Sequence, residues 1–359
     1  MKIGIITIWD DTNYGNRLQN FAMQKILSNY GDVFTLRRDY PSVELHNIYL
    51  SPLIVIKNSL KKTFTYSKNK KRKVKAFKNF DKKIQTDMSL FFKRRNYSSI
   101  NDKYNFFVAG SDQIWNPTYY GNNMFVNCLG FAPGKKRIAI SPSISLDNLE
   151  NFQIEEFKKF LFEYKYISCR EQLGAKQIES IVKCKCDVMM DPTLMIESEM
   201  WDSLAIQPKF HKVEKYILMY FLGNITEKYE RIIKEIKNRT GLTIINILDE
   251  NSMYYTCGPE NFIWLIKNSE LVITDSFHGT VFSYIFDKPF RVFMRNDNLR
   301  SMNSRIESLL QKLNISNDVF IDEKIDLEHL FITSYDKNIL SELRRNYFSK
   351  LDSIFNCNK

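Results

Sequence analysis

One histidine, set where an apolar run gives way to a helical pattern, is the residue in this chain best placed to do chemistry. In LVITDSFHGTVFSYIF (271–286), Leu271 to Ile273 read as a buried strand. Gly279 permits a tight turn, and Thr280 to Phe286 begin a helix. Polar groups therefore gather at one sheet edge, and the carboxyl edge of an open parallel sheet is where ligands bind. Imidazole titrates near neutral pH, so His278 is suited to moving protons as a general acid or base. Asp275 could orient the ring, and Ser276, Gly279 and Thr280 add further donors around it. The remaining histidines, His46, His211 and His329, fall in segments that read as solvent-exposed surface.

Four other segments concentrate polar groups at strand ends. DTNYGNRLQN (11–20) places Asn13, Gly15, Asn16, Arg17 and Gln19 at a strand-to-helix junction. Amides at a helix N-terminus attract anions, and Gly15 lets the backbone approach one. The pattern is neither a dinucleotide fingerprint nor a P-loop, and Asp11 or Thr12 could equally be a plain helix cap. AGSDQIWNP (109–117) carries Ser111, Asp112, Gln113 and Asn116 within six positions, a density that suits a sugar or carboxylate ligand. Trp115 in the same segment reads as core. ISCRE (167–171) ends a strand on Arg170 and Glu171. A guanidinium there can take a carboxylate or phosphate bidentately, or pair with a neighbouring acid as a structural salt bridge. DPTL (191–194) reads as a turn in which Asp191 supports the edge and Pro192 fixes the loop.

Short apolar strands alternate with helical patterns from end to end, which predicts an α/β fold with parallel sheets, built as two Rossmann-like domains with an interdomain cleft. The expected division is 1–205 for the N-terminal domain, with a basic helical insertion at about 42–100, then 206–330 for the C-terminal domain. A terminal helix within 331–359 is expected to pack back on the first domain.

The chain has 359 residues, 44% of them apolar and 14% aromatic, enough for large cores. No apolar run approaches the roughly 18 residues of a membrane span, and the first strand follows directly on Met1, so the chain reads as cytoplasmic. Six scattered cysteines fit reduced, mostly buried thiols rather than a metal site or disulfide framework. The net charge of +11 is confined to one segment. Between Lys57 and Lys83 there are 12 Lys/Arg against the single acid Asp81, leaving 40 bases and 40 acids elsewhere. LSPLIVI (50–56) precedes this segment, and Phe64, Tyr66, Phe77 and Phe80 are interleaved with the lysines. That combination suits a helical surface resting on anionic lipid at the inner face of a membrane, or a solvated helical hairpin packed on its own domain. No nucleic-acid-binding motif accompanies the charge, which argues against nucleic acid as a partner.

Taken in order and spacing, NYGNRLQNFAMQ, AGSDQIWNP, SCRE, DPTL and TDSFHGTVFSYIFDKPF resemble the polysaccharide pyruvyl transferase family over about Met1 to Leu313. The resemblance implies a fold similar to GT-B glycosyltransferases, phosphoenolpyruvate as the donor and co-substrate with no other cofactor and no metal, and a saccharide acceptor that receives a pyruvate ketal. It implies a lipid-linked acceptor, as in capsule or exopolysaccharide assembly. The family's catalytic histidine falls on His278, and its donor-binding arginine falls on Arg170. Gly15, Asn16, Arg17, Ser276, Gly279 and Thr280 would complete the donor site, and Ser111, Asp112, Gln113 and Asn116 would face the acceptor. Several members read Arg-Leu-His-Gly where this chain reads Ser276-Phe277-His278-Gly279, so Arg17, Arg291, Arg295 or Arg305 would have to supply the missing cation. A GT-B-type glycosyltransferase using a nucleotide sugar is the alternative that the residues leave open.

Overall fold

A computed structural model describes residues 1–37, 68–89, 97–120, 124–295, 301–321, 330–332 and 335–356. His46, His329, Cys357, the apolar 50–56 run, Phe64 and Tyr66 lie outside the described residues. The chain divides into two compact units, Met1–Pro192 and Thr193–Lys359.

In the first unit the strands are β1 (Lys2–Ile6), β2 (Asp32–Leu36), β3 (Thr86–Asp87), β4 (Phe106–Ala109) and β5 (Arg137–Ala139). They pair in parallel in the order β3-β2-β1-β4-β5. A small parallel pair, β6 (Ser168–Cys169) with β7 (Asp187–Val188), lies in the same unit. Its described helices of eight residues or more are α1 (Tyr14–Leu27), α2 (Lys68–Asp81), α3 (Asn151–Phe160) and α4 (Gln172–Val182). β1 and β4 are almost wholly buried, as expected of central parallel strands whose continuous apolar runs are covered on both faces. Trp115 is fully buried in the core with Phe157, Ile114 and Leu129.

The described part of the basic segment packs on its own unit through its aromatic residues. Phe77 and Phe80 of α2 are buried against Tyr14 and Phe21 of α1, with ring centroids 5.1 and 5.8 Å apart. Lys73 is buried beside them, its ammonium 4.7 Å from the Tyr14 ring centroid. The apolar stripe of α2 is therefore spent within its own unit. Lys68, Lys71, Arg72, Lys75 and Lys78 remain exposed on the opposite side. The chain then returns to the sheet, and β3 adds to the edge of β2 through Thr35–Thr86 and Leu36–Asp87 pairing.

The second unit holds β8 (Tyr216–Tyr220), β9 (Thr243–Asn246), β10 (Leu271–Thr274), β11 (Phe290–Phe293) and β12 (Phe320–Ile321), parallel in the order β12-β11-β10-β8-β9. Helices α5 (Glu227–Thr240), α6 (Pro259–Lys267), α7 (Phe277–Ile285), α8 (Ser301–Lys312) and α9 (Lys337–Phe355) belong to it. α5 shows why its boundaries were legible. Thr226 caps the first turn and Glu227 lies within it, while Gly241 in the left-handed region ends the helix. Arg344 of α9 donates to the carbonyls of Leu194 and Ile196 and pairs with Glu197. No described helix is long and apolar enough to cross a membrane.

The expectation of an exposed His211 is overturned. Its side chain is buried, with Trp264, Tyr216 and Tyr254 rings set edge-on at 4.8, 5.1 and 5.9 Å, and Nδ1 lies 3.0 Å from the Tyr254 hydroxyl. These rings come from positions 5 to 53 residues further on, so nothing in the local HKVEK sequence reveals the enclosure. Burial holds the imidazole pKa below its ordinary value, so a proton binds the unfolded chain more readily than the folded one. The resulting stability is complete above the unfolded pKa of about 6.5 and is lost as pH falls below it, by at most about 1.4 kcal/mol per pH unit. Urea midpoints at pH 7.5 and 5.5 should therefore differ less in His211→Phe than in the parent. An equal pH dependence in the two proteins removes His211 as its source.

Candidate active site

The first unit gathers its polar residues at the carboxyl ends of β1, β4 and β5. The chain leaves β1 through Thr7 and enters α1 at Tyr14, capped by Asn13, whose side chain accepts the Asn16 amide. Gln19 ties three segments together. Its Oε1 accepts from the Ser111 amide at 3.1 Å, its Nε2 donates to Thr7 Oγ1 at 2.8 Å, and Thr7 Oγ1 donates to the Ser111 carbonyl. Ser111 Oγ donates to the Ser141 carbonyl at 3.0 Å, and Ser141 Oγ donates to the Met190 carbonyl at 2.7 Å. Asp112, Ser141 and Ser145 all adopt left-handed backbone conformations, with φ of 62°, 53° and 54°. Such conformations are costly for residues with a β-carbon and persist where surrounding bonds enforce them.

Arg170 sits at the centre of this network. Its Nη1 donates to Asp191 Oδ2 at 2.7 Å, and its Nη2 lies 3.6 Å from Asp112 Oδ1. Asp112 also accepts from the Asn16 side chain. Burial alone would favour losing the guanidinium proton, but Asp191, Asp112 and Glu171 outweigh it and hold the charge more firmly than usual. Glu171 faces another way. Its Oε1 accepts from Ser143 Oγ and from the amides of Ile144 and Ser145 at 2.8, 3.0 and 3.1 Å. Arg170 and Asp191, predicted separately, thus form one buried ion pair, and Glu171 fixes the 143–145 loop. DPTL is a short helix, Pro192–Met195, rather than a simple turn. Gln113 is half-buried, and Asn116 is buried with its Oδ1 accepting from the Thr118 amide and hydroxyl. The sequence reading missed Thr7, Ser141, Ser143 and Ser145, although SPSIS directly follows β5 and its alternating serines were the available signal.

In the second unit the edge is built by β8, β10 and β11. His278 is the second residue of α7, immediately beyond β10, and its ring lies edge-on to Phe277 at 5.3 Å. Ser276 is the N-cap, its Oγ accepting from the Gly279 amide at 3.4 Å, and Thr280 Oγ1 donates to the Ser276 carbonyl at 3.2 Å. Both side chains therefore hold the helix start in place.

Two local expectations need correcting. Gly279 serves helix–strand packing rather than a turn: it lies inside α7, and a β-carbon there would stand 2.4 Å from Thr274 Oγ1. That hydroxyl is itself fixed, donating to the Tyr220 carbonyl at 2.6 Å and accepting from the Ser276 amide at 3.0 Å. Asp275 clamps the loop after β8 rather than serving mainly to orient the imidazole. Its Oδ1 and Oδ2 accept the Leu222 and Gly223 amides at 2.6 and 2.7 Å. Desolvation raises the Asp275 pKa, countered by those two amides and by the charge of Arg295.

Among the cations named as substitutes for an arginine at 276, Arg291 is bound to the carbonyls of Phe290 and Ile332 at 2.7 and 3.3 Å. Arg295, at the end of β11, packs where a β-carbon on Gly223 would stand, 2.9 Å from that point. Arg305 of α8 is buried with its guanidinium 5.9 Å from the Phe277 ring centroid, beside the residue that precedes His278.

These are two parallel α/β units of the Rossmann type, each with its polar residues on the carboxyl edge. Solved structures similar to this chain include sugar-nucleotide epimerases and glycosyltransferases. The chain is similar in structure to the UDP-GlcNAc 2-epimerase of Methanocaldococcus jannaschii, at 13% identity with 99% of each chain covered and a TM-score of 0.50. A UDP-N-acetylglucosamine 2-epimerase assigned as putative in Listeria monocytogenes aligns at 11% identity over 98% of this chain and 89% of that one, with a TM-score of 0.46. The E. coli heptosyltransferase WaaC aligns at 10% identity over 98% of this chain and 99% of that one, with a TM-score of 0.37. No match was found among curated proteins. The sequence itself is decisive at the level of family: the model of the polysaccharide pyruvyl transferases matches residues 13–298, and the chain belongs to that family of transferases.

Proposed function

We propose that this chain transfers the enolpyruvyl group of phosphoenolpyruvate to a sugar as a pyruvate ketal in capsule or exopolysaccharide assembly. The observation that carries the reading is His278, held at the start of α7 by the Ser276 cap within the segment matched by the family. In the proposed reaction a proton is added to the methylene carbon of the donor, making C2 electrophilic. One sugar hydroxyl adds to C2, inorganic phosphate leaves, and a second hydroxyl closes the ketal. His278 is the acid/base group of this scheme. Arg305 and Arg295 stand near its helix and supply the positive charge that Ser276 does not. In the first unit, Arg17 and the α1 start contribute to donor binding, while Ser111, Asp112, Gln113 and Asn116 belong to the acceptor side. Arg170, with Asp191, holds that edge together as well as marking the donor site.

Mass spectrometry of the product tests the reading: a ketal adds a carboxylate to the acceptor and releases phosphate. Transfer of a hexosyl group from a nucleotide sugar instead would establish the glycosyltransferase alternative, which the absence of an arginine at 276 leaves open. Thermal shift separates the donors independently, with phosphoenolpyruvate raising the melting temperature and UDP and GDP leaving it unchanged.

A lipid-linked acceptor would give α2 a purpose at an anionic membrane surface. Because Phe77 and Phe80 are committed to α1, the contact would be electrostatic, through Lys68, Lys71, Arg72, Lys75 and Lys78. Co-sedimentation with vesicles containing anionic lipid should fall steeply between low and physiological salt and disappear when these five residues are replaced by glutamine. Unchanged co-sedimentation of the glutamine variant would refute the membrane role.

A further inference from the structure

Arg17 is the most unusual cation of the first unit. It is fully buried on the first turns of α1, and its Nε donates to Asp81, the last residue of α2, at 2.6 Å. Its guanidinium carbon lies 4.0 Å from the centroid of the Trp9 ring, and Arg37 lies 4.0 Å from the same centroid. The indole thus carries two guanidinium groups just beyond the carboxyl ends of β1 and β2. Stacking of this kind, worth about 0.5–2 kcal/mol per pair, holds a guanidinium plane in a fixed orientation. Nη1 and Nη2 of Arg17 meet no hydrogen-bond acceptor among the described residues. The nearest anion on that edge is Asp11 Oδ1, 3.7 Å from Nη2, inside ion-pair range and beyond hydrogen-bond length.

Asp11 differs from Asp81 in the way that matters for a ligand. Its side chain is 70% exposed, against 20% for Asp81. A pair with so exposed a partner contributes about 0–1 kcal/mol, so water readily takes the carboxylate. With Asp11 turned away, the half-buried Asp81 is the acid still paired with Arg17 among the described residues, through Nε, and the two Nη atoms have no counter-charge of their own. The two Nη donors then present the fork geometry that matches two oxygens of a phosphoryl group. Arg170, by contrast, is hydrogen-bonded through Nη1 to Asp191 at 2.7 Å, and the carboxylate near its Nη2, Asp112 at 3.6 Å, is only 9% exposed.

We propose that the Nη edge of Arg17 is a binding site for a phosphoryl group, with Asp11 as an exchangeable internal counter-ion that the ligand displaces. The phosphoryl group belongs either to the donor or to a diphosphate linking the acceptor saccharide to its carrier. The inference rests on the proposed use of phosphorylated substrates, but it is read by binding and not by turnover.

Tryptophan fluorescence of the full chain, with Trp9→Phe identifying the responding ring, is titrated with inorganic diphosphate, phosphoenolpyruvate and a short alkyl diphospho-disaccharide. Asp11→Asn should bind diphosphate roughly two- to fivefold tighter, the equivalent of the weak exposed pair it removes. Arg17→Gln combined with Asp81→Asn, which leaves no unpaired carboxylate at 81, should bind at least about tenfold more weakly. If that double variant does not fold, Arg17→Lys keeps the charge, loses the fork and should show the same weakening. The organic probe whose affinity follows these changes identifies the source of the phosphoryl group. No diphosphate binding by the parent at millimolar concentration, or equal affinity in the folded Arg17 variant, overturns the site. An unchanged Asp11→Asn removes Asp11 from it. Ketal formation with an unperturbed Arg17 variant would sink this inference alone, whereas diphosphate binding without ketal formation would sink the functional reading alone.

Discussion

Replacing His278 with alanine should lower the rate of ketal formation by about 10²- to 10⁴-fold, the usual contribution of a positioned acid/base group, while leaving the fold intact. The backbone around it is held by other side chains. Ser276 Oγ caps α7, Thr280 Oγ1 holds the Ser276 carbonyl and Thr274 Oγ1 bridges β10 to β8. A second residue of a helix needs no particular side chain once its cap is in place. The drop should therefore fall on kcat, with donor affinity measured by thermal shift changed little. His278→Gln should resemble alanine, since an amide keeps hydrogen bonds but does not titrate near pH 7. Transfer at the parent rate in either variant would remove His278 from the chemistry.

The second large effect concerns stability. Arg170→Met should destabilise the first unit by about 3–5 kcal/mol, because it removes the cation from a buried pair and strands its partners. Asp191 Oδ2 loses its 2.7 Å bond, and Asp112, with its backbone in the left-handed region, loses the cation 3.6 Å from its Oδ1. Urea unfolding of the variant should show a lower midpoint with the slope unchanged. Arg170→Lys should fall between the two, retaining charge but not the fork. A pure donor-binding role for Arg170 predicts instead that Arg170→Met unfolds at the parent urea concentration and loses only phosphoenolpyruvate affinity. Measuring both quantities on one preparation separates the two roles.

The parts of the fold that were legible in the sequence are those whose signal is local. LVITD, YILMYFLG and IGIITI are buried on both faces and read as strands without help from partners. α5 carries its own cap and terminator. The strands that were not read are β2, β3 and β12, the last two only two residues long and defined by pairing rather than by composition. The same distinction runs through the candidate site. His278, Arg170 and Asp191 were visible as residue types at strand ends, but partnership was not: Arg170 with Asp191 spans 21 positions, and Asp275 with Leu222 spans 53. Gly279 shows the limit most sharply. Glycine was correctly singled out, yet its reason is a neighbouring threonine five residues earlier on a packed strand. No turn preference encodes that.

The two-residue strands have a consequence outside the site. β3 closes one side of the first sheet and β12 one side of the second, and among the described residues each offers only a two-residue row of backbone donors and acceptors to a foreign strand. β3 is also polar, Thr86 followed by Asp87, with Asp87 bound by Lys103, Tyr104 and Ser89. A border as short and polar as β3 resists the edge-to-edge association that long, flat and apolar borders invite.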